Sequence, residues 1–182
     1  YWRAPLKQLS RPVARDLLKQ LDPVECPMGF DPTASPKKRA VVTATAAGKK
    51  GSFLAFCREQ KQLYPQCVIL TRMGDFYETY GIDAILLVEH VGLNPMAGKA
   101  RAGCPYRNIQ ATLNCLTEQG YSIAVYEEVG QTASNKLKTR VISQIVSPAS
   151  PTYLYDHSWL LGSDHDNGAA LEQLPPSRPC VG

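Results

Sequence analysis

The sequence has no apolar run long enough to cross a membrane. A membrane helix needs about 18 apolar residues in succession, whereas the most apolar stretch, residues 85–88, lies between Asp83 and Glu89. The sequence also has no Cys-x-x-Cys pair, and Cys57/Cys67 and Cys104/Cys115 are ten and eleven positions apart. These spacings exclude a small disulfide scaffold and argue against a zinc site. We therefore expect reduced thiols, no metal and no membrane contact.

Composition divides the chain into three segments. A hydrophobic content of 44% with 20% charged residues excludes a disordered chain and a coiled coil. The net charge of +4 divides as +6 over 1–52, +1 over 53–155 and −3 over 156–182. Of the 14 prolines, six precede residue 53 and five lie at or after residue 148. We predict a basic, Pro-rich N-terminal arm (1–52), a packed domain (53–155) and an acidic, Pro-rich linker (156–182).

The middle segment predicts an α/β fold with a mixed β-sheet flanked by helices. Hydrophobic periodicity and turn residues indicate the elements. The predicted elements are a helix 53–63 capped by Ser52, strands 67–71 and 76–80 around a Gly74-Asp75 turn, a buried helix 82–91, a Gly-rich basic loop 94–103, a helix capped by Asn108 and ended by Gly120, and strands 121–129 and 140–146.

Several candidate sites are weak. Residues 47–52 resemble a phosphate-binding loop but lack its first glycine, and Lys50 stands where Ser or Thr is needed, so we exclude ATP binding in this chain. Cys104 is a possible nucleophile, but His90 is the one histidine in the packed segment and we expect it to face outward. The basic run 35–39 fits a phosphate-contacting or localisation patch, or simply a solvated charge run.

The predicted hairpin is the most informative feature. Strand alternation places Phe76 and Glu78 on the same face. The pattern alone favours a core aromatic beside an exposed carboxylate. The alternative is an apolar wedge beside an acceptor, a pair suited to entering a base step and probing one base.

A family resemblance favours the second interpretation. Residues 72–78 (RMGDFYE) resemble the signature of the mismatch-recognition domain of MutS proteins, whose Phe-x-Glu motif corresponds to Phe76 and Glu78. Residues 102–106, 120–128 and 140–148 resemble further blocks of that family in the same order. Within the family, residues 81–84 and 92–95 look most like the organellar homologues of plants and algae. The chain departs from bacterial members at Arg107, where they usually have His, and at residues 94–96.

The resemblance implies a DNA-binding domain and not an enzyme. It implies that Phe76 wedges beside a mispaired or unpaired base in duplex DNA and that Glu78 bonds to that base. We also predict that Lys99 and Arg101, on the Gly-rich loop, contact phosphates. The full set of predicted DNA-binding residues is Phe76, Glu78, Arg72, Met73, Asp75, Lys99 and Arg101, with no catalytic residue and no metal ligand.

The resemblance also predicts the setting of the domain. Because the chain starts at Tyr1 and its last residues, 175–182, resemble the start of a connector domain, we interpret it as a fragment. A full-length parent is expected to use ATP and Mg, to form a homodimer and to work in a mitochondrion or plastid, with the nucleus as the alternative; the fragment itself needs no cofactor. Two other functions stay open, namely a small α/β enzyme or ligand-binding domain using Cys104 or the Gly-rich loop, and a protein-interaction domain.

Overall fold

A computed structural model describes residues 3–21, 53–129 and 139–154. Two short helices come first, α1 (Arg3–Lys7) and α2 (Pro12–Leu18). The elements of the second range, in chain order, are α3 (Phe53–Leu63), β1 (Cys67–Met73), β2 (Phe76–Tyr80), α4 (Gly81–Leu86) continued by a π-helix (Leu87–Val91), a 3-10 turn (Met96–Gly98), β3 (Arg101–Pro105), a 3-10 turn (Tyr106–Asn108), α5 (Ile109–Glu118) and β4 (Ser122–Val129). Strand β5 (Thr139–Val146) opens the third range.

The strands form one mixed sheet in the order β3-β2-β1-β4-β5. Strands β1 and β4 are parallel, and the other three pairings are antiparallel. The connection from β1 to β4 passes through β2, β3 and helix α5, as a parallel pair requires a long crossover. The predicted α/β class with a mixed sheet is therefore confirmed.

The sheet has a different helical cover on each face. On one face, helix α3 packs Phe53, Leu54 and Cys57 against Tyr80 of β2. On the other face lies the largest apolar cluster, built from helices α2, α4 and α5 and from inward side chains such as Val68, Tyr77 and Cys104. A strand with both faces covered is apolar throughout, which explains the unbroken apolar run at the start of β1.

The first described residues belong to the same core. Leu9, Ala14 and Leu17 are buried in the large cluster with α4 and α5. Composition predicted that the packed domain begins near residue 53, yet residues 3–21 supply side chains to it. The assignment of 1–52, 53–155 and 156–182 as separate segments stays a prediction.

Three local predictions were wrong. The Gly-rich loop was expected to reach residue 103, but Arg101–Pro105 is strand β3 and pairs with β2. Asn108 makes no side-chain capping bond, because the 3-10 turn before it leads directly into α5. His90 does not face outward freely; it is half-buried, with Nε2 3.1 Å from the hydroxyl of Tyr121.

Other local predictions are confirmed or lie outside the described residues. Helix α3 has the predicted bounds. Gly74 and Gly120 adopt positive φ angles of 59° and 84°, as the turn and the helix end require. Ser52, the predicted cap of α3, lies outside the described residues, as does the basic run 35–39. None of the helices in the described ranges combines the length and the hydropathy that a bilayer-spanning segment needs.

Candidate nucleic-acid interface

Phe76 projects from the tip of the β1–β2 hairpin. The turn Gly74-Asp75 joins the strands, and Phe76, paired with Met73 of β1 and Pro105 of β3, directly follows it. The Phe76 side chain is 44% exposed, and it is the one exposed aromatic residue in the parts of the chain that the structure describes. The strand pattern alone favoured a core aromatic at this position, and that expectation is wrong.

Glu78 lies on the same face of β2 but is buried. Glu78 is only 7% exposed, whereas the pattern alone favoured an exposed carboxylate. Oε2 of Glu78 accepts two hydrogen bonds from Arg101, from Nε at 2.8 Å and from Nη2 at 2.5 Å. Glu78 and Arg101 were predicted to contact a base and a phosphate separately, and in this structure they contact each other.

Arg72, Met73 and Asp75 hold the turn in place. The Nε of Arg72 donates to the carbonyl oxygen of Gly74 at 2.8 Å, which closes the turn from the β1 side. Met73 is half-buried against the Phe53–Tyr80 cluster. The carbonyl oxygen of Asp75 accepts a hydrogen bond of 2.9 Å from the backbone of Tyr106, which ties the turn to the end of β3. These three residues lie where they can position Phe76.

Lys99 and Arg101 lie at the opposite end of the β2–β3 ribbon. Arg101 pairs with Tyr80, four residues from Phe76 along β2, which is about 13 Å at the usual rise of a strand. Lys99 is half-buried, and its backbone closes the 3-10 turn at Met96. The structure therefore brings Arg101 to Glu78, and it brings neither cation to the hairpin tip.

Tyr106 and Arg107 are the residues that the sequence did not identify as part of the site. The guanidinium carbons of Arg72 and Arg107 lie 4.9 and 5.6 Å from the centre of the Tyr106 ring. Arg107 is exposed, and its Nε donates to the Tyr106 hydroxyl at 3.1 Å. The departure from the bacterial Pro-Tyr-His pattern marked Arg107 in the sequence, but only the bond between Asp75 and Tyr106 shows that it lies beside the turn.

A buried polar network around Glu127 of β4 contacts the hairpin on the face of the sheet opposite to Phe76. Oε1 of Glu127 accepts hydrogen bonds from the hydroxyls of Tyr77 and Tyr153, the latter at 2.6 Å, and Oε2 lies 3.6 Å from Nη1 of Arg72. The pKa values of Tyr77 and Tyr153 are raised, mainly by burial and second by the hydrogen bond to Glu127. These tyrosines therefore stay protonated donors and fix the inner side of β2.

A second charged residue braces the hairpin from β5. Arg140 donates to Oε1 of Glu128 at 2.8 Å and to the carbonyl oxygen of Arg72 at 3.3 Å. Its guanidinium carbon lies 4.9 Å from the centre of the Phe53 ring of α3. Arg72, the residue before the end of β1, is thus held by a cation that also contacts helix α3.

The alternative chemistry at Cys104 has little support. The Cys104 side chain is buried in the main core, and burial raises the pKa of its thiol even though a hydrogen bond to Thr112 opposes the shift. A raised pKa leaves less of the nucleophilic thiolate. Within the described ranges, no group of three His, Cys, Asp or Glu side chains converges on a metal position.

Comparison with known proteins identifies the family. The family model described as MutS domain I matches residues 52–154. The chain is 35% identical over 188 residues to the mitochondrial DNA mismatch repair protein MSH1 of Arabidopsis thaliana, which covers 100% of this chain and 15% of the relative.

Prokaryotic relatives align with the middle segment. The DNA mismatch repair protein MutS of Aquifex pyrophilus is 31% identical over 106 residues, covering 53% of this chain and 12% of the relative. MutS of Methanosarcina mazei is 35% identical over 101 residues, covering 50% and 11%. The chain thus spans between 11% and 15% of the length of these three relatives.

Proposed function

The chain belongs to the MutS domain I family, and we propose on this basis that it recognises mispaired or unpaired bases in duplex DNA. In this proposal it is the N-terminal, non-enzymatic domain of a longer mismatch-repair protein that forms a homodimer and carries its ATP and Mg site elsewhere. The similarity to a relative named as mitochondrial supports an organellar location, in a mitochondrion or plastid, over the nucleus.

The observation that carries the proposal is the exposed ring of Phe76, which directly follows a turn held by hydrogen bonds from Arg72 and Tyr106. Inserting an apolar wedge between base pairs costs a few kcal/mol of unstacking, and a mispaired base has already lost part of its pairing and stacking. Stacking a base on an aromatic ring returns about 1–3 kcal/mol whatever the base. The balance therefore favours insertion where the duplex deforms easily, which is indirect readout.

The neighbouring residues have distinct roles in this proposal. Glu78 accepts a hydrogen bond from a base N–H beside the wedge, since an ionised carboxylate offers only acceptors. Arg72, Met73 and Asp75 hold the turn that carries Phe76. Arg107, exposed beside that turn, and Lys99, at the other end of the ribbon, contact phosphates on the two sides of the inserted ring.

The test is competition binding of the full-length protein to matched and mismatched duplexes of otherwise identical sequence. We expect Phe76→Ala to reduce the mismatched-to-matched affinity ratio to near one while the melting temperature stays close to that of the wild type. The matched control is Leu63→Ala, which truncates another exposed apolar side chain, at the end of α3, and leaves the ratio unchanged.

Two outcomes would contradict the proposal. Truncating a core aromatic lowers the free energy of unfolding by about 3–5 kcal/mol. A loss of this size in Phe76→Ala, seen as a large drop in melting temperature, would mean that the ring supports the fold. A wild-type protein that binds both duplexes equally would mean that the domain does not recognise mismatches.

A further inference from the structure

The side chain of Glu78 lies across strand β3 because the residue opposite it is a glycine. Gly103 pairs with Glu78, and a Cβ atom on Gly103 would come within 3.0 Å of Cγ of Glu78 and within 2.4 Å of the carbonyl oxygen of Tyr77. Any side chain at position 103 would therefore displace the Tyr77 backbone as well as the Glu78 side chain. The glycine allows Glu78 to reach Arg101, which is two residues along β3 on the same face.

The ion pair draws the Glu78 carboxylate away from Phe76. In the antiparallel register, Arg101 pairs with Tyr80, whereas Phe76 pairs with Pro105, so Arg101 and Phe76 lie on opposite sides of the Glu78–Gly103 pair. The Arg101 guanidinium is also held over the Tyr80 ring, 5.6 Å from its centre. To bond to a base beside the Phe76 ring, the carboxylate would have to turn back toward the hairpin tip.

We propose that the Glu78–Arg101 pair competes with mismatch recognition: Glu78 exchanges Arg101 for a base N–H only at a mispaired site, and the released Arg101 guanidinium then contacts a DNA phosphate. This inference rests on the proposed function. Arg101 is a specificity-determining residue in it, because the state of its ion pair decides whether Glu78 is available.

The two new contacts depend on each other for an electrostatic reason. The Glu78 side chain is 9% exposed and that of Arg101 29%, and opening a pair of this burial leaves a carboxylate with few water molecules around it. Matched DNA offers a phosphate to Arg101, but its Watson–Crick N–H donors are already paired with the complementary base, so opening the ion pair there would leave an unpaired carboxylate close to phosphates. Only a mispaired base supplies partners for both charges.

Salt dependence measures this exchange directly. Each phosphate neutralised by a cation adds about 0.9 to the slope of log affinity against log salt. For the wild-type full-length protein we expect the slope to be steeper by about this amount on mismatched than on matched duplex. Glu78→Gln releases Arg101 on both duplexes. In this variant the slope on matched duplex should steepen to the value that the wild type shows on mismatched duplex. For Arg101→Gln, the two slopes should be equal at the lower value.

The controls separate this exchange from a general charge effect. Glu118→Gln removes one carboxylate at the far end of α5 and should leave the slope difference of the wild type intact. Arg101→Lys keeps the charge but loses the two-nitrogen contact of the guanidinium, so the slope difference should shrink without disappearing. Thermal melting checks that each variant is folded, and if Arg101→Gln does not fold, Glu78→Gln carries the test.

The failure of this inference is distinguishable from that of the proposed function. Equal slopes in a wild-type protein that prefers mismatched DNA, and loses that preference with Phe76→Ala, would overturn the exchange and leave the recognition proposal standing. A matched slope that does not rise in Glu78→Gln would overturn it as well.

Discussion

At the scale of single residues, the Glu127 carboxylate contacts three side chains from different parts of the fold. It is almost fully buried and bonds to two tyrosine hydroxyls, with the guanidinium of Arg72 nearby. A buried carboxylate is tolerated when it is paired and hydrogen-bonded, and losing one partner is costly because the charge then stays buried without compensation. The carboxylate therefore joins β2, β4 and the segment around Tyr153 in one arrangement.

This arrangement predicts an alkaline limit to stability. The pKa values of Tyr77 and Tyr153 are raised by burial and by Glu127 above the ordinary value of 10.0. A group with a raised pKa in the folded state stabilises the fold fully below its unfolded pKa, and that stability is lost as the pH rises above it. We therefore expect the free energy of unfolding, measured with urea, to fall steeply above pH 10. This fall adds to a decline that begins near pH 9, because burial also raises the pKa of the Cys57, Cys67 and Cys104 thiols above their ordinary value of 9.0.

Single substitutions identify the tyrosines responsible. Tyr77→Phe and Tyr153→Phe should each remove part of the fall above pH 10. Absorbance near 295 nm follows tyrosine ionisation. Ionisation of all nine tyrosines near pH 10 in the folded chain would contradict this prediction.

The sequence predicted some properties of single residues and not others. Strand alternation correctly placed Phe76 and Glu78 on one face of β2, because the period of a strand is a local property. It gave the wrong exposure for both, because exposure depends on what lies across the sheet. Gly103 makes room for the Glu78 side chain, and the hairpin tip leaves Phe76 44% exposed. Neither relation is visible along β2 itself.

At the scale of elements, helix α3 and strand β3 differ in how they could be predicted. Helix α3 has an apolar face formed by Phe53, Leu54 and Cys57 and ends before Pro65, so local signals gave its bounds. Strand β3 (RAGCP) has no β-branched residue and contains glycine and proline, which are depleted in strands. It is extended because its backbone pairs with β2, and such pairing is a non-local cause.

The residues that precede helix α2 donate hydrogen bonds to the carboxylate of Glu89, which belongs to another element. The amide groups of Ser10 and Arg11 donate to the two carboxylate oxygens of Glu89 at 2.8 and 3.0 Å, and the Ser10 hydroxyl donates as well. A helix of seven residues is marginal by itself, and its first N–H groups need acceptors. Glu89 of the π-helix accepts from the N-cap residue Arg11 and from Ser10 before it, and so couples the start of α2 to the core.

The cap predicts that α2 loosens in acid and on neutralisation of Glu89. Burial opposes the charge of Glu89, but the hydrogen bonds from Ser10 and Arg11 outweigh it and hold the pKa below its ordinary value of 4.5. The stabilisation is therefore present above about pH 4.5 and lost as the pH falls through the lowered pKa. Glu89→Gln should cost about 1 kcal/mol, as the loss of a helix cap does, and should speed hydrogen exchange over residues 11–18.

The matched control for the cap is Asp16→Asn. It removes a carboxylate from the same helix, but one that forms an exposed pair with Lys19, so it should leave exchange over 11–18 near the wild-type rate. Equal exchange in Glu89→Gln and wild type at pH 7 would mean that the cap does not hold α2.

At the scale of the whole molecule, one apolar cluster joins segments that composition separates. Charge and proline content divided the chain near residue 53, because both are averages over a segment that is rich in cations and prolines. In the described part of the N-terminal arm, residues 3–21, the apolar side chains of Leu9, Ala14 and Leu17 are buried in the cluster with α4 and α5. Such a contribution depends on position and not on composition, so the sequence averages could not reveal it.

The shared core predicts that residues 3–21 stabilise the domain formed by the sheet and helices α3 to α5. Leu17 is 2% exposed and Val13, on the same helix, is 48% exposed, so the two positions form a matched pair. Leu17→Ala should lower the free energy of unfolding of the full chain by about 2–5 kcal/mol, the usual cost of a cavity in a core. Val13→Ala should change it by less than about 0.5 kcal/mol, as most surface substitutions do.

A chain that starts at residue 52 lacks both side chains and leaves the apolar surface of α4 uncovered, so it should unfold at lower urea concentration than the full chain. If Leu17→Ala and Val13→Ala unfold at the same urea concentration as the wild type, residues 3–21 add nothing to the core and the domain is complete without them.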